Sequence, residues 1–344
     1  MSHSHKKARL LTDVMMHRHP LEPSGTLLRI NAREDSLFVN NTPPIPNDVS
    51  VIVSKKSEGF SLVTFETVEG EKVQGWIRTS YLSFIQLTIV TYNILTGLPM
   101  YEKETTGEKF SAWQNRKEKV LQALLGHDII MLNEATLQQL QYLQTNLNIG
   151  ANKTHFMLKP QNNDGSAILI KNKVWTIVES LSCAIRPGYP QVVVAVKLEH
   201  TMYKKPLFVV SLHLKSGYDE MEKRRCEEFQ CAMRHVYGKW PEAEYGHLVV
   251  AGDLNSDYAN TDYARLVDFV CVKYNLTNAA GHPNGHGEKT PTYYYHHKSV
   301  FDYILYRNSL FSLKSMKTEV ALHKAPNATQ GSDHFPVSAT LQLV

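Results

Sequence analysis

Leu248-Val249-Val250-Ala251-Gly252-Asp253-Leu254-Asn255-Ser256 is the stretch on which the reading of this chain turns. A short, continuous apolar run bounded by a turn residue is a strand buried on both faces. This one ends in a carboxylate, and a buried strand that ends so delivers the charged group to the rim of its sheet on a rigid support. The same layout recurs. Ile89-Val90-Thr91-Tyr92 leads to Asn93, and Ile129-Ile130-Met131-Leu132-Asn133 leads to Glu134. Phe208-Val209-Val210-Ser211-Leu212 leads to His213. If these strands are neighbours, their ends build one constellation of amide, carboxylates and imidazole.

Between these runs the pattern alternates strands and helices. Strands are expected at 87–94, 128–132, 166–170, 192–198, 207–212, 247–251, 300–306 and 337–343, about ten in all when shorter runs are included. Helices are expected from a cap at Ser111 to Gly126, and over 136–147, 220–237 and 263–272. This is a mixed α/β layer fold. Before residue 85 the character differs. Val49–Ser54, Phe60–Val68 and Val73–Ile77 read as short strands, separated by the turns Asn40-Asn41-Thr42-Pro43-Pro44, Lys56-Ser57-Glu58-Gly59 and Glu69-Gly70-Glu71.

The chain's 344 residues suit two domains, and 42% hydrophobic residues are ample for a core without disulfides or a structural metal. The expected division is a polar, histidine-rich tail over 1–24, a small all-β barrel over 25–85, and a larger α/β domain over 86–344. Net charge is +4 and neither demands nor excludes a polyanionic partner. Cys183, Cys226, Cys231 and Cys271 form no C-x-x-C pair, which argues against a zinc ribbon and for reduced thiols. No run approaches a membrane span or a secretory signal, so the expected location is the cytoplasm, with the nucleus also open.

The polar strand ends suit phosphoester hydrolysis. That reaction needs a cation against the phosphoryl oxygens, a base for the attacking water, donors for developing charge and an acid for the leaving oxygen. Hard oxygen ligands suit Mg²⁺, with Mn²⁺ as a substitute, and Glu134 is the natural first ligand. Asp253 and Asn255, two apart, point the same way if the chain is extended there, one serving the water and the other the transferring group. Gly331-Ser332-Asp333-His334-Phe335-Pro336 offers a ligand beside a cationic phosphate contact. Asp302 is placed to accept the His334 N–H, fix its tautomer and raise its pKa. Tyr293-Tyr294-Tyr295, in a hairpin before Asp302, reads either as ordinary tyrosine-rich strand packing or as rim aromatics that stack on bases, with Tyr293 as the substrate contact in the second case.

These blocks carry a resemblance. Thr91-Tyr92-Asn93-Ile94-Leu95, Asn133-Glu134-Ala135, Asp164-Gly165-Ser166-Ala167-Ile168, Ser211-Leu212-His213-Leu214, Gly252-Asp253-Leu254-Asn255-Ser256, Phe301-Asp302-Tyr303-Ile304 and Ser332-Asp333-His334-Phe335-Pro336-Val337 stand in the order of the endonuclease/exonuclease/phosphatase superfamily, which residues 86–344 resemble. The resemblance implies a four-layer αββα sandwich of two mixed sheets with a site at one end of both. It implies that Asn93, Glu134 and Asp333 serve the metal, and that Asn93, His213 and Asn255 touch the substrate. His213, Asp253, Asn255, Asp302 and His334 are then the catalytic set. Asn133 departs from the family, where Gln is common before the glutamate. Gly75-Trp76-Ile77-Arg78-Thr79-Ser80-Tyr81-Leu82 resembles the closing strand of a Src-homology-3-like barrel, which would take a peptide or another ligand.

Blander readings apply elsewhere. Asn162-Asn163-Asp164-Gly165 is a strong turn sequence, so Asp164 is as much a turn former as a functional group. Arg224 and Arg225 read as the solvated face of an amphipathic helix. Three functions follow for the whole: a Mg²⁺-dependent phosphodiesterase on RNA or DNA, a hydrolase of a small or lipid phosphoester, or a vestigial sandwich recruited through the barrel. In the first, the metal and the paired histidines His213 and His334 supply the positive charge that the near-neutral composition lacks.

Overall fold

A computed structural model describes residues 26–30, 50–57, 60–66, 72–78, 82–84, 86–96, 112–201, 206–217, 219–257, 265–280, 291–294, 298–318 and 331–343. The chain divides into two compact units, Met1–Gln86 with Gln342–Val344 and Leu87–Leu341.

In the first unit, β1 (Thr26–Ile30), β2 (Ser50–Ser57), β3 (Phe60–Glu66), β4 (Lys72–Arg78) and β5 (Leu82–Phe84) pair as one antiparallel sheet in the order β4-β3-β2-β1-β5. The expected hairpin around Glu69-Gly70-Glu71 is flanked by the pairing Glu66↔Lys72. The single closing strand expected over Gly75–Leu82 is divided between β4 and β5. Among the described residues β4 and β5 are the two ends of the order, so this region supports a sheet and gives no support to a closed Src-homology-3-like barrel. The turn at 40–44 and Tyr81 lie outside the described residues.

The second unit is an α/β sandwich. One sheet has the order β18-β19-β6-β7-β9-β8, the other β10-β11-β12-β13-β17-β14. The first contains β6 (Gln86–Asn93), β7 (Ile129–Ala135), β8 (Thr154–Leu158), β9 (Gly165–Ile170), β18 (Phe311–Thr318) and β19 (Val337–Leu343). The second contains β10 (Trp175–Ala184), β11 (Val192–His200), β12 (Leu207–His213), β13 (His247–Asp253), β14 (Thr277–Asn278) and β17 (Asp302–Tyr306). Both sheets are mixed: β6–β7 and β12–β13 are parallel, while β7–β9, β11–β12 and β13–β17 are antiparallel. A short ladder pairs β15 (Tyr293–Tyr294) with β16 (Lys298–Ser299).

Side-chain alternation along the central strands explains the layering. Val90 and Tyr92, Ile130 and Leu132, and Ala167 and Leu169 point outward onto α1 (Trp113–Leu124) and α2 (Leu137–Leu147). Phe208, Val210, Leu248 and Val250 point outward onto α3 (Glu222–Lys239) and α4 (Arg265–Tyr274). The intervening residues, among them Ile129, Met131, Ile168, Val194, Val209 and Val249, are fully buried between the sheets. Each central strand is apolar on both faces, which is why it reads as a continuous run.

Local signals fix the helix starts unevenly. Thr136 caps α2 with a reciprocal box: its Oγ1 accepts from the Gln139 N–H at 3.2 Å, and Gln139 Oε1 accepts from the Thr136 N–H at 2.8 Å. The start of α1 falls after Ala112, which offers no side-chain cap, and Ser111 lies outside the described residues. Gly126, with φ +83°, ends that region in the left-handed conformation. The four cysteines are free thiols. No helix among the described residues is long and apolar enough to cross a membrane.

Candidate active site

Strand register brings the polar strand ends together. His213 pairs with Asp253 across the parallel β12–β13 ladder, and Asp253 pairs with Asp302 across β13–β17. Three adjacent strands of one sheet thus place imidazole, carboxylate and carboxylate side by side. The other sheet contributes Asn93 and Glu134. Asn93 Nδ2 donates to Glu134 Oε1 at 3.1 Å and to Asp253 Oδ2 at 3.0 Å, tying the two sheets together at the carboxylates.

Backbone geometry aims these groups. The β7–β9 register shifts between Leu132 and Ala135, and Glu134 sits at φ +55°. A bulge with a left-handed carboxylate residue is a costly conformation and turns the side chain out of the ladder. There Glu134 Oε2 accepts the Thr96 N–H at 3.2 Å. Across the sheets, Gly252 sits at φ +145°, where a Cβ would collide with the Leu212 carbonyl. The Asp253 N–H then reaches Asn133 Oδ1 at 2.9 Å, while Asn133 Nδ2 donates to Ser166 Oγ at 3.0 Å. Asn133, the family departure, is therefore a buried bridge directly under Glu134 and Asp253.

The extended segment on which Asp253 and Asn255 would point the same way is not what forms. Asn255 adopts φ +53°; its N–H donates to Asp253 Oδ1 at 2.9 Å and its Nδ2 to Leu214 O at 3.1 Å. The turn makes Asn255 a clasp on Asp253 as well as a half-buried group at the site.

His334 Nδ1 lies 2.7 Å from Asp302 Oδ2, and His334 Nε2 lies 3.6 Å from Asp253 Oδ2. Burial alone would lower the His334 pKa, but Asp302 and Asp253 outweigh it and hold it well above the ordinary imidazole value. His213 behaves oppositely. Burial, with Lys159 nearby, drops it to about 3, so it is neutral at pH 7 although its Nε2 lies 3.7 Å from Asp253 Oδ2. The expected pair of cationic histidines is thus one cation, His334, and one neutral imidazole. Burial pushes Asp253 up, with Asp302 adding and His334 opposing. Burial also raises Asp333, with Glu134 adding. For Glu134 burial works upward, but His213, Lys159 and the Asn93 amide hold it below the usual range. With His213 neutral, Lys159 is the charged member of that pair.

The donor set suits a hard divalent cation. Asp253 and Asp333 are buried carboxylates beside the half-buried Glu134, and burial raises the first two even against the nearby His334 cation. Asp302 Oδ1 and His213 Nδ1 are buried without a partner among the described residues. Ligand atoms of Asp253, Asp302 and His334 also lie within 4.8 Å of one another, a second grouping with metal-like spacing. Asn93 Oδ1 accepts the Leu95 N–H at 3.1 Å, which leaves its second lone pair for a cation. Tyr293 is brought to the site. Its ring centroid lies 5.0 Å from that of His334 and 5.3 Å from that of Phe301.

Three positions escaped the sequence reading. Lys159 Nζ and Asp164 Oδ2 form a buried ion pair at 2.6 Å, so Asp164 is more than a turn former. Arg116 is fully buried and donates to the carbonyls of Ile94, Leu95 and Gly331, joining the segments that carry Asn93 and Asp333. Ser332 Oγ donates to Asn93 O at 2.7 Å, closing the same joint. A lysine after a strand and an arginine in a helix are ordinary surface residues until the fold buries them. His282, His286, His296 and His297 lie outside the described residues.

A family model described as Endonuclease/Exonuclease/phosphatase family matches residues 90–334. Among solved structures, the human Nocturnin catalytic domain with bound sulfate anion is similar at 22% identity and a TM-score of 0.60, over 75% of this chain and 94% of that one. ANGEL2, a 2',3'-cyclic phosphatase in complex with adenosine-2',3'-vanadate, matches at 14% identity and 0.61, over 76% and 97%. A Bacteroides thetaiotaomicron mannosyl-6-phosphatase matches at 18% identity and 0.54, over 75% and 99%. No curated protein matches the chain.

Proposed function

This chain belongs to the endonuclease/exonuclease/phosphatase family, and on that premise we propose that it is a divalent-metal-dependent phosphodiesterase that hydrolyses nucleic acid by attack of water on phosphorus. The observation that carries the reading is the buried chain Asp302–His334–Asp253, with 2.7 Å and 3.6 Å between successive partners. It sets a proton acceptor beside a held imidazolium.

In this reading Asp253 takes the proton from the attacking water. Its raised pKa brings it toward the working pH, where a general base is most effective. Asp302 keeps His334 charged, so His334 steadies the phosphoryl oxygens or protonates the leaving oxygen. Neutral His213 and the Asn255 amide donate hydrogen bonds to the same oxygens. Glu134 and Asp333 would hold Mg²⁺, or Mn²⁺ in its place. Such an ion supplies charge against the phosphoryl oxygens and acidifies a bound water. Tyr293, half-buried beside His334, supports a nucleotide substrate, because its ring can stack on a base.

The fold alone is compatible with a smaller phosphoester, since structures of similar fold include a mannosyl-6-phosphatase. One assay separates the readings. Labelled single-stranded RNA, single-stranded DNA, duplex DNA and a phosphatidylinositol phosphate are each incubated with Mg²⁺ and with EDTA. Metal-dependent cleavage of a nucleic acid is the expected result. Turnover of the inositol lipid alone would move the substrate to the small-phosphoester class, and no turnover of any would sink the enzyme reading.

A further inference from the structure

From the sequence, Arg224 and Arg225 share a solvated helix face, and the structure separates them. Arg225 is buried, 2% exposed, with its Nε on Glu222 Oε2 at 2.8 Å and its Nη1 on the carbonyls of Lys215 and Gly217. Arg224 is partly exposed and clamped. Its Nε donates to Glu228 Oε1 at 2.9 Å, and its guanidinium carbon lies 4.3 Å from the ring centroid of Tyr189.

Both clamps stand at the catalytic end of the sheet. Glu228 is wholly buried, and its other oxygen accepts the Lys215 N–H at 2.9 Å, two residues beyond His213. Two residues span at most roughly 7 Å. Tyr189 lies in the loop from β10 to β11, and the pairing Val193↔Leu212 puts that loop at the same end as His213. The guanidinium is therefore fixed on one face and one edge. Its two terminal nitrogens have no partner among the described residues.

A planar fork held in this way is suited to two parallel hydrogen bonds to a phosphate, and its restraint reduces the entropy lost on binding. We propose that Arg224, backed by Tyr189 and Glu228, is a second phosphate subsite. It engages a phosphate next to the scissile one, so the substrate is a chain of at least two phosphodiester units. This inference rests on the phosphodiesterase reading above and narrows its substrate class.

The test compares a tetranucleotide, with three phosphates, and a dinucleoside monophosphate, with one. For Arg224→Gln, the ratio of kcat/KM for the longer substrate to that for the shorter falls about tenfold. The dependence of log KM on log salt for the tetranucleotide becomes shallower by about 0.7, the share of one single-strand phosphate. Arg224→Lys keeps the salt slope and restores only part of the ratio, because the point charge remains and the fork does not. An unchanged ratio in Arg224→Gln, in protein whose circular dichroism matches the parent, overturns the subsite. If the parent cleaves neither substrate, the hydrolase reading fails separately. Fluorescence anisotropy of labelled tetranucleotide then decides: weaker binding by Arg224→Gln upholds the subsite, and equal binding overturns it.

Discussion

His334 Nδ1 sits 2.7 Å from Oδ2 of Asp302, with both side chains buried at the end of β17. A charged pair withdrawn from water is stable only if each partner stays ionised, and this contact keeps His334 protonated well above the ordinary imidazole pKa.

Replacing the carboxylate therefore has a signed consequence. Asp302→Asn removes the partner that raises His334, so the alkaline limb of the kcat/KM profile moves to lower pH. The same elevation stabilises the fold fully below the unfolded imidazole pKa and is lost as pH rises through the folded value. The parent's stability advantage over Asp302→Asn should thus shrink with rising pH. Stopped-time assays and urea melts across pH check both, and an unmoved alkaline limb would show that His334 is not the titrating group.

Asp253→Ala and His334→Ala should each slow turnover by at least about 10²-fold, the usual scale for losing an acid or base group. Far-ultraviolet circular dichroism should remain that of the parent. Near-normal rates from either variant would mean that the proton-transfer groups lie elsewhere.

Mg²⁺ should raise the melting temperature as well as support turnover. Asp253 and Asp333 are pushed up by burial and by neighbouring carboxylates, repulsion that a bound cation relieves. At a hundredfold excess over Kd the gain is about 2.7 kcal/mol. Differential scanning calorimetry with and without Mg²⁺ measures it, and Glu134→Gln should lose most of the shift. Equal shifts in parent and variant would remove Glu134 from the cation site.

Asn133→Leu conserves volume but deletes the bridge between the sheets. It leaves the Asp253 N–H and the Ser166 hydroxyl buried without their partner. The expected cost is roughly 2–4 kcal/mol from the orphaned groups, read by urea denaturation. A variant as stable as the parent would show that the bridge is replaced by water or by repacking.

The strand ends were legible because a buried strand must be apolar on both faces and a site must be polar. Asn93, Glu134, His213 and Asp253 each mark the point where one demand gives way to the other. Strands at sheet edges were harder to see. β8, β10 and β18 stand at the ends of their sheets, so they bury less surface and carry polar residues that blur the pattern. They went unread, and about ten expected strands became fourteen among the described residues of the larger unit.

The sequence by itself determined which residue types stand at the strand ends, in what order, and hence the α/β class and the phosphoester chemistry they suit. That information is local, carried by hydrophobic run length and by the polar residue that stops it. Only the tertiary structure decided charge and direction. It made His334 cationic and His213 neutral, tied Asn93 to Glu134 and Asp253, buried Lys159, Arg116 and Arg225, and left the terminal nitrogens of Arg224 without a partner among the described residues. Burial and the charges of residues distant in the chain set these properties, and neither is written in the neighbours of any one residue.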